Sequence, residues 1–250
     1  MKVIIPAAGY AVRLYPLTKN KPKALLKIKD KPILEHIVCK LEELQDISEI
    51  WIVCNAKFFP VFKHWLSAFY SSIPIYLLND ETTSNETRLG QIGDIALAIN
   101  QNKMNEDLLV VAGDNLFNFS LKPAYDFFKK NNVIVNTFHE CGSKELAAQL
   151  GTGVLNSGHK VLEFEEKSQN PKSTLASHGI YFIPKNKISL IEEYVHQKGK
   201  QGPDLDKMGY FMNWLVEKHL LYGFVYSDKW FDIGWKESLR QTEQEFVCRC

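Results

Sequence analysis

The apolar positions of this chain fall into two rhythms. Unbroken apolar runs at "KVIIPAA" (2–8), "EIWIVCN" (49–55), "IPIYLLND" (73–80), "DLLVVAGDN" (107–115) and "NVIVNTFHE" (132–140) predict buried strands. Between them, "PILEHIVCKLEEL" (32–44), "VFKHWLSAFY" (61–70), "IGDIALAINQ" (92–101) and "KPAYDFFKK" (122–130) carry apolar residues at helical spacing, with Pro32 suited to a first turn. Strands alternating with helices predict an α/β fold whose mostly parallel sheet is covered on both faces and joined by right-handed crossovers. Ligands of such sheets sit beyond the carboxyl ends of the strands, here marked by Gly9, Asn55, Asp80 and Asp114.

After about residue 145 the texture changes. "GTGVLN", "KVLEFEEK" and "SHGIYFIP" are short strands separated by the turn signals "NSGHK" and "SQNPKS", which predicts antiparallel hairpins. "KISLIEEYVHQK" and "LDKMGYFMNWLVEK" are helical, and "LYGFVYSDKWFDIG" reads as a closing hairpin or strand pair. No linker and no internal repeat interrupts the chain. The expectation is one domain over 1–250, made of halves 1–145 and 146–240 and a tail 241–250.

The 250 residues are 45% hydrophobic and carry a formal net charge of +1. Near-neutrality argues against a nucleic-acid binder, which needs a basic face. No run approaches the roughly 20 apolar residues that span a bilayer, and "MKVIIPAAG" does not read as a secretory signal. The five cysteines (Cys39, Cys54, Cys141, Cys248, Cys250) are odd in number and mostly single in apolar segments. That pattern predicts reduced, buried thiols in a cytoplasmic protein, with the terminal C-x-C as a frayed tail.

Against this neutral background, Arg13, Lys19, Lys21 and Lys23 crowd directly behind the first strand. Ala7, Ala8 and Gly9 leave room for close backbone approach, and successive N–H groups in such a turn cradle phosphate oxygens. Arg13 offers a planar fork and Lys23 a mobile point charge. The plain alternative is a tight turn followed by a solvated basic loop. Neither G-x-G-x-x-G nor G-x-x-x-x-G-K-[ST] is present, which disfavours dinucleotide and P-loop readings. Asp114 in "VVAGDN" and Asp232 in "WFDIGW" are carboxylates that could converge on one Mg²⁺, a hard cation that shares oxygen ligands with substrate phosphates. Read locally, each is equally an Asx-turn residue.

"AAGYAVRLYPLTKNKPKALL" resembles the nucleotide-binding signature of the sugar-1-phosphate nucleotidylyltransferases: a small-residue turn, G-x-G-[TS]-R-L-x-P-L-T, then P-K-[PA]-L-[LV]. Gly9, Arg13, Leu14, Pro16, Leu17, Thr18, Pro22, Lys23 and Leu25 match, whereas Ala11 replaces a glycine and Val12 a hydroxyl residue. Further on, "EEKSQNPKSTLASHGIYFI" is similar to the family's E-K-P, P-x-S and A-x-x-G-[IV]-Y-x-[FI] segments through Glu166, Lys167, Pro171, Ser173, Ala176, Gly179, Ile180 and Tyr181, with Ser168 in place of a proline. "TGV" (152–154) resembles its Y-G-V. The likeness covers residues 1 to about 240 and includes no β-helix repeat.

The resemblance implies a Rossmann-like, mostly parallel mixed sheet flanked by helices, with a nucleotide-binding first half and an antiparallel acceptor-binding elaboration. It implies Mg²⁺ on Asp114 and Asp232, with Arg13, Lys23 and Lys167 as catalytic residues. Ala8, Gly9, Asn115, Gly153, Glu166 and Gly179 would bind substrate, Glu166 holding sugar hydroxyls and Lys167 the acceptor phosphate. In the base region, "NDETTSNETRLGQIGDIALAI", Gly93 or Gly90 could contact the base and Asn85 or Arg88 could read its edge; a capped turn is the alternative. The implied reaction is NTP plus sugar 1-phosphate giving NDP-sugar and pyrophosphate, with no nucleic acid or membrane as partner and a homo-oligomer left open. Two alternatives remain: transfer to phosphocholine or another small phosphorylated alcohol, with Trp214, Trp230, Trp235 and Tyr181 as an aromatic surface, and a silent nucleotide-sugar binder, motivated by Ala11 and Val12.

Overall fold

Strands form where the apolar runs stand, and their alternating side chains feed two separate apolar layers. The computed structural model describes residues 1–199 and 202–247. Its strands are β1 (Lys2–Pro6), β2 (Lys27–Ile28), β3 (Lys31–Pro32), β4 (Glu49–Cys54), β5 (Ile75–Asn79), β6 (Leu108–Val111), β7 (Asn115–Phe117), β8 (Ile134–Glu140), β9 (Gly151–Leu155), β10 (Val161–Glu166), β11 (Leu175–Ile183), β12 (Leu221–Tyr226) and β13 (Trp230–Asp232). The helices are α1 (Ile33–Leu41), α2 (Phe59–Ala68), α3 (Gln91–Gln101), α4 (Lys122–Asn131), α5 (Lys144–Ala147), α6 (Ser189–Lys198), α7 (Pro203–Asp206), α8 (Met208–Glu217) and α9 (Lys236–Glu245).

Among the described residues the main sheet has nine strands. β5, β4, β1 and β6 lie side by side and parallel. β11 then pairs antiparallel with β6, β8 and β9, β10 pairs with β9, and β12 runs parallel to β8. Val3 and Ile5 of β1 enter a layer with α1, α2 and α4, where Ile37, Phe62 and Phe128 are buried; Ile4 enters the opposite layer with α3, α6 and α8, beside Ile95, Tyr194 and Leu215. This two-sided burial is what continuous apolar strands require. It confirms the mixed, mostly parallel α/β sheet.

Several boundaries differ from the sequence reading. The apolar run at 107–115 ends as a strand at Val111, turns at Ala112–Asp114, and restarts as β7. The segment 221–234 is not a hairpin: β12 joins β8, while β13 pairs antiparallel with β7 (Asp232↔Asn115, Trp230↔Phe117). Both strands are apolar, and the pattern says nothing of which neighbour each will find. The helix expected over 205–218 breaks at Lys207, whose backbone is extended. Residues 241–246 are not a loose tail. α9 crosses residue 241, and Phe246 is buried against His36 and Phe231. Cys39 is disulfide-bonded, against the expectation of reduced thiols, because an odd count carries no information on which pair the fold brings within bonding range. Cys54 and Cys141 are free thiols, and burial pushes Cys54 up to about 12. Cys248 and Cys250, and with them the C-x-C, lie outside the described residues.

β11 carries a register shift between Ser177 and Tyr181, centred on Gly179 at φ +74°. The Gly179 carbonyl accepts from the Ala112 N–H (3.0 Å), and an added Cβ would stand 3.3 Å from the Ala112 methyl. The bulge therefore braces the turn that carries Asp114. Gly179→Ala is expected to lower stability by about 1–2 kcal/mol, the scale of a left-handed non-glycine residue. A urea midpoint equal to that of the unchanged protein would show that the bulge relaxes at no cost.

Candidate active site

The carboxyl ends of β1 and β6 meet so closely that only glycine fits between them. A Cβ on Gly113 would lie 2.9 Å from the Ala7 methyl and 3.0 Å from the Pro6 carbonyl, and the Gly113 N–H donates to that carbonyl (3.1 Å). The turn after β1 and the turn bearing Asp114 are thereby held together. They open into a cleft of about 660 Å³. Around Gly9 the space is empty within 4 Å of an added Cβ, so a ligand can approach the backbone there. Asn55, buried at the end of β4, fixes the turn from below by donating to the Ala8 carbonyl (2.7 Å).

Ala11 adopts the left-handed conformation (φ 47°, ψ 44°), at the position where the resemblance expects glycine. Its carbonyl accepts from the Thr18 hydroxyl (2.7 Å) and the Leu14 N–H (3.0 Å), which hold the strained residue in place. The loop shape is thus kept without the glycine.

Arg13 and Lys23 line the cleft, whereas Lys19 and Lys21 do not. Lys23 Nζ donates to Asp114 Oδ2 at 2.7 Å. Burial pushes the Asp114 carboxyl up, but Lys23, as neighbouring charge and donor, and Lys167 beyond it hold it below the usual range. Asp232 reaches the same place through the β7–β13 ribbon, which sets it opposite Asn115. Its carboxyl is raised, first by burial and also by Asp114, against the pull of Lys23, Lys167 and Arg13. Two carboxylates that feel each other and three cations define a centre built for polyanionic oxygen chemistry. Hard oxygen donors converging in this way fit a divalent ion such as Mg²⁺, with substrate phosphates completing the shell. No cluster of three or more acidic, histidine or cysteine ligands occurs among the described residues.

On the facing wall, Lys167 follows β10 with φ +54°, its N–H bonded to the Leu150 carbonyl (3.0 Å). Glu166 packs against Gly209 and Gly151, with Lys207 Nζ 3.8 Å away. Burial raises the Glu166 carboxyl, and Lys207 and Lys167 oppose the rise. Gly151 lines the cleft, with the Phe164 ring and Glu166 filling the side where a Cβ would stand. Gly153 does not line the cleft, and its missing Cβ makes room for the Phe138 ring. Likewise Gly90 lines the cleft and Gly93 does not; Gly90 has φ +81° and abuts the Leu205 carbonyl, while Gly93 packs on Leu89. Gly151 and Gly153 lie two residues apart on the same face of β9 and Gly90 caps the helix that holds Gly93, so position along the element, and not its phase, separates each pair.

Two expected substrate contacts already have protein partners. Arg88 is bidentate to Asp206 (2.7 and 3.0 Å) and also donates to the Asn85 carbonyl, tying the 80–90 loop to α7. Asn115 donates to the His178 carbonyl and accepts from Trp230 Nε1, which stitches β7 to β11 and β13. Both residues line the cleft, as do Asn85 and Ala8. Of the four aromatics, Trp214 stands apart from the cleft: it packs with Tyr194 and Phe211, beneath the Lys218 ammonium. Tyr181, Trp230 and Trp235 line the cleft; Tyr181 is 5% exposed and the Trp230 indole N–H is bonded to Asn115.

Sequence reasoning marked Asp80 as a strand end but missed its buried neighbour Asp94, which lines the cleft. Asp80 accepts from the Thr82 N–H (2.8 Å) and hydroxyl (2.9 Å), and burial, with the charge of Asp80, raises the Asp94 carboxyl well above the usual range. An acid between Ile92 and Ile95 in a predicted apolar helix face was the available signal.

The turns after β1 and β6, the cations beside them and the two carboxylates thus lie at the carboxyl edge of a parallel sheet, where α/β folds bind their ligands. The sequence matches the Nucleotidyl transferase family over residues 2–247, and the chain belongs to that family. It is 28% identical over 235 residues to the bifunctional protein GlmU of Methanocaldococcus jannaschii, covering 94% of this chain and 51% of that protein. It is 25% identical to the UTP–glucose-1-phosphate uridylyltransferase AglF of Haloferax volcanii, over 98% of this chain and 96% of that one. Among solved structures, one described as a glucose-1-phosphate thymidylyltransferase of Bacillus anthracis, in complex with sucrose, superposes with a TM-score of 0.81 at 25% identity, covering 98% of this chain and 94% of that one. The chain spans about half the length of the GlmU proteins that it matches.

Proposed function

We propose that this protein joins an NTP to a sugar 1-phosphate, forming an NDP-sugar and pyrophosphate. The carrying observation is that the Lys23–Asp114 pair, Asp232, Glu166 and Lys167 line one cleft, with the Lys167 charge acting on both aspartates. The reaction needs no protein nucleophile. An acceptor phosphate oxygen attacks the α-phosphorus in line, the new P–O bond forms as the bond to the β-phosphate bridge breaks, and pyrophosphate leaves with that electron pair. Catalysis is then positioning and charge neutralisation.

The N–H groups of the Gly9 turn and the charges of Arg13 and Lys23 hold the triphosphate. Lys167 fixes the acceptor phosphate, and Glu166 accepts hydrogen bonds from sugar hydroxyls. Asp114 and Asp232 are the residues that would hold Mg²⁺, which when bound neutralises phosphate charge. Tyr181 and the backbone near Gly151 close the acceptor side. Asn115 and Arg88 act by holding walls in place. The setting proposed is cytoplasmic; among the described residues no helix is long and apolar enough to cross a membrane.

The test is a matrix of the NTPs against sugar 1-phosphates and phosphocholine, read by pyrophosphate release. Turnover is expected with at least one NTP and a sugar 1-phosphate. Strong turnover with phosphocholine alone would overturn the sugar assignment, and tight NDP-sugar binding without any turnover would mark a silent binder.

A further inference from the structure

The junction between α7 and α8 touches two parts of the cleft wall that lie far apart in sequence. α7 ends at Asp206, Lys207 is extended (φ −130°, ψ 132°), and α8 starts at Met208. Leu205 and Met208, on either side of the break, are buried, so both helices are seated in the core. The loop 85–90 is fastened to the end of α7. The Arg88 guanidinium donates two hydrogen bonds to the Asp206 carboxylate (2.7 and 3.0 Å). Gly90 lies so close to the same backbone that an added Cβ would stand 2.5 Å from the Leu205 carbonyl oxygen and 2.7 Å from the Asp206 Cα.

Beyond the break, the junction decides where Glu166 stands. A Cβ on Gly209 would lie 2.1 Å from Glu166 Oε2 and 2.9 Å from Glu166 Cβ. Lys207 Nζ is 3.8 Å from Glu166 Oε1, an ion pair too long for a hydrogen bond. Packing on the first turn of α8, with that nearby charge, therefore places the carboxylate. Between Asp206 and Gly209 stand only Lys207 and Met208, a stretch too short to absorb a displacement of Asp206 without moving Gly209.

We propose that Arg88, although it stands on the loop expected to meet the base, is a positioning residue for the sugar side: through Asp206 it holds the α7–α8 junction, and the junction holds Glu166. This rests on the reading of Glu166 as the acceptor of hydrogen bonds from sugar hydroxyls. A guanidinium suits the task, because its fork fixes the plane of the Asp206 carboxylate as well as its distance.

The experiment is a double-mutant cycle of Arg88→Ala with Glu166→Gln, run with the NTP and sugar 1-phosphate that turn over fastest. Arg88→Ala alone is expected to raise the KM for sugar 1-phosphate by about 3–30-fold and the KM for NTP by no more than about twofold. In the Glu166→Gln protein, which has already lost the charged acceptor, the same exchange should add no more than about twofold. Asp206→Ala should reproduce the pattern, since it breaks the same link from its other end. A defect confined to the KM for NTP would make Arg88 a nucleotide contact and overturn the proposal. Losses in the two single variants that simply multiply in the double variant would also overturn it. If Glu166→Gln leaves the KM for sugar 1-phosphate unchanged, the sugar-side reading of Glu166 fails first and the proposal with it. Should no substrate pair turn over, the transfer reading fails separately. The cycle is then read from calorimetric binding of the sugar 1-phosphates, where a loss shared by the two variants supports the link, and multiplying losses or no binding at all overturn it.

Discussion

Asparagine in place of Asp114 or of Asp232 should lower kcat/KM by about a hundred- to a thousandfold, the scale of one preorganised electrostatic contact in a water-poor site. The exchange keeps the shape of the side chain and removes its charge. At Asp114 it also leaves the Lys23 ammonium, 2.7 Å away, without its ionic partner. At Asp232 it removes a carboxyl that burial and Asp114 already hold at a raised value, so the folded protein should lose little stability there, and a thermal melt separates that from lost chemistry. The readout is pyrophosphate release at saturating Mg²⁺. A near-normal rate in either variant would remove that aspartate from the metal site.

The cation cluster behind β1 should divide into two pairs. Lys23→Ala and Arg13→Ala are expected to cost about 3 kcal/mol in kcat/KM, because each lines the cleft and, in the proposed reaction, meets the polyphosphate. Arg13→Lys should also be harmful, since an ammonium does not reproduce a planar fork. Lys19→Ala and Lys21→Ala, which lie outside the cleft, should change stability by no more than about 0.5 kcal/mol and the rate hardly at all. Four equal, mild defects would instead describe a diffuse electrostatic funnel, and the specific roles of Arg13 and Lys23 would fall.

Which of these residues were visible in the sequence depended on how local their placement is. Gly9, Arg13, Lys23 and Asp114 follow directly from the ends of two apolar runs, and the parallel-sheet rule carries them to one edge. Asp232 could be named from the sequence but not placed, because its arrival beside Asn115 depends on a pairing of β13 with β7 that no periodicity encodes. The same non-locality turned an expected hairpin at 221–234 into strands in two different sheets. Gly90 against Gly93, and Gly151 against Gly153, differ in how far along their element they stand, since each pair shares a face or a helix end, and no periodicity reports where the cleft begins. Arg88 and Asn115 looked like ligand contacts because their partners, Asp206 and Trp230, are more than a hundred residues away and unseen until the chain folds.

The β7–β13 ribbon has a consequence for synthesis. A chain leaving the ribosome acquires β1, β4, β5 and β6 early, and these are the four parallel neighbours of the sheet. At that stage it has the phosphate turn, Lys23 and Asp114, but not the strand that brings Asp232. Pairing between distant segments is slow because the long intervening loop must first be ordered. The nascent half can therefore become compact, and could even retain a nucleotide, before it is able to cleave one. If Asp232 holds the metal as proposed, catalytic competence arrives only when residues 230–232 dock on 115–117. A chain halted before residue 230 would be a nucleotide-holding fragment without turnover, and for this molecule the onset of activity would report completed translation and late docking more directly than any measure of helix or sheet content.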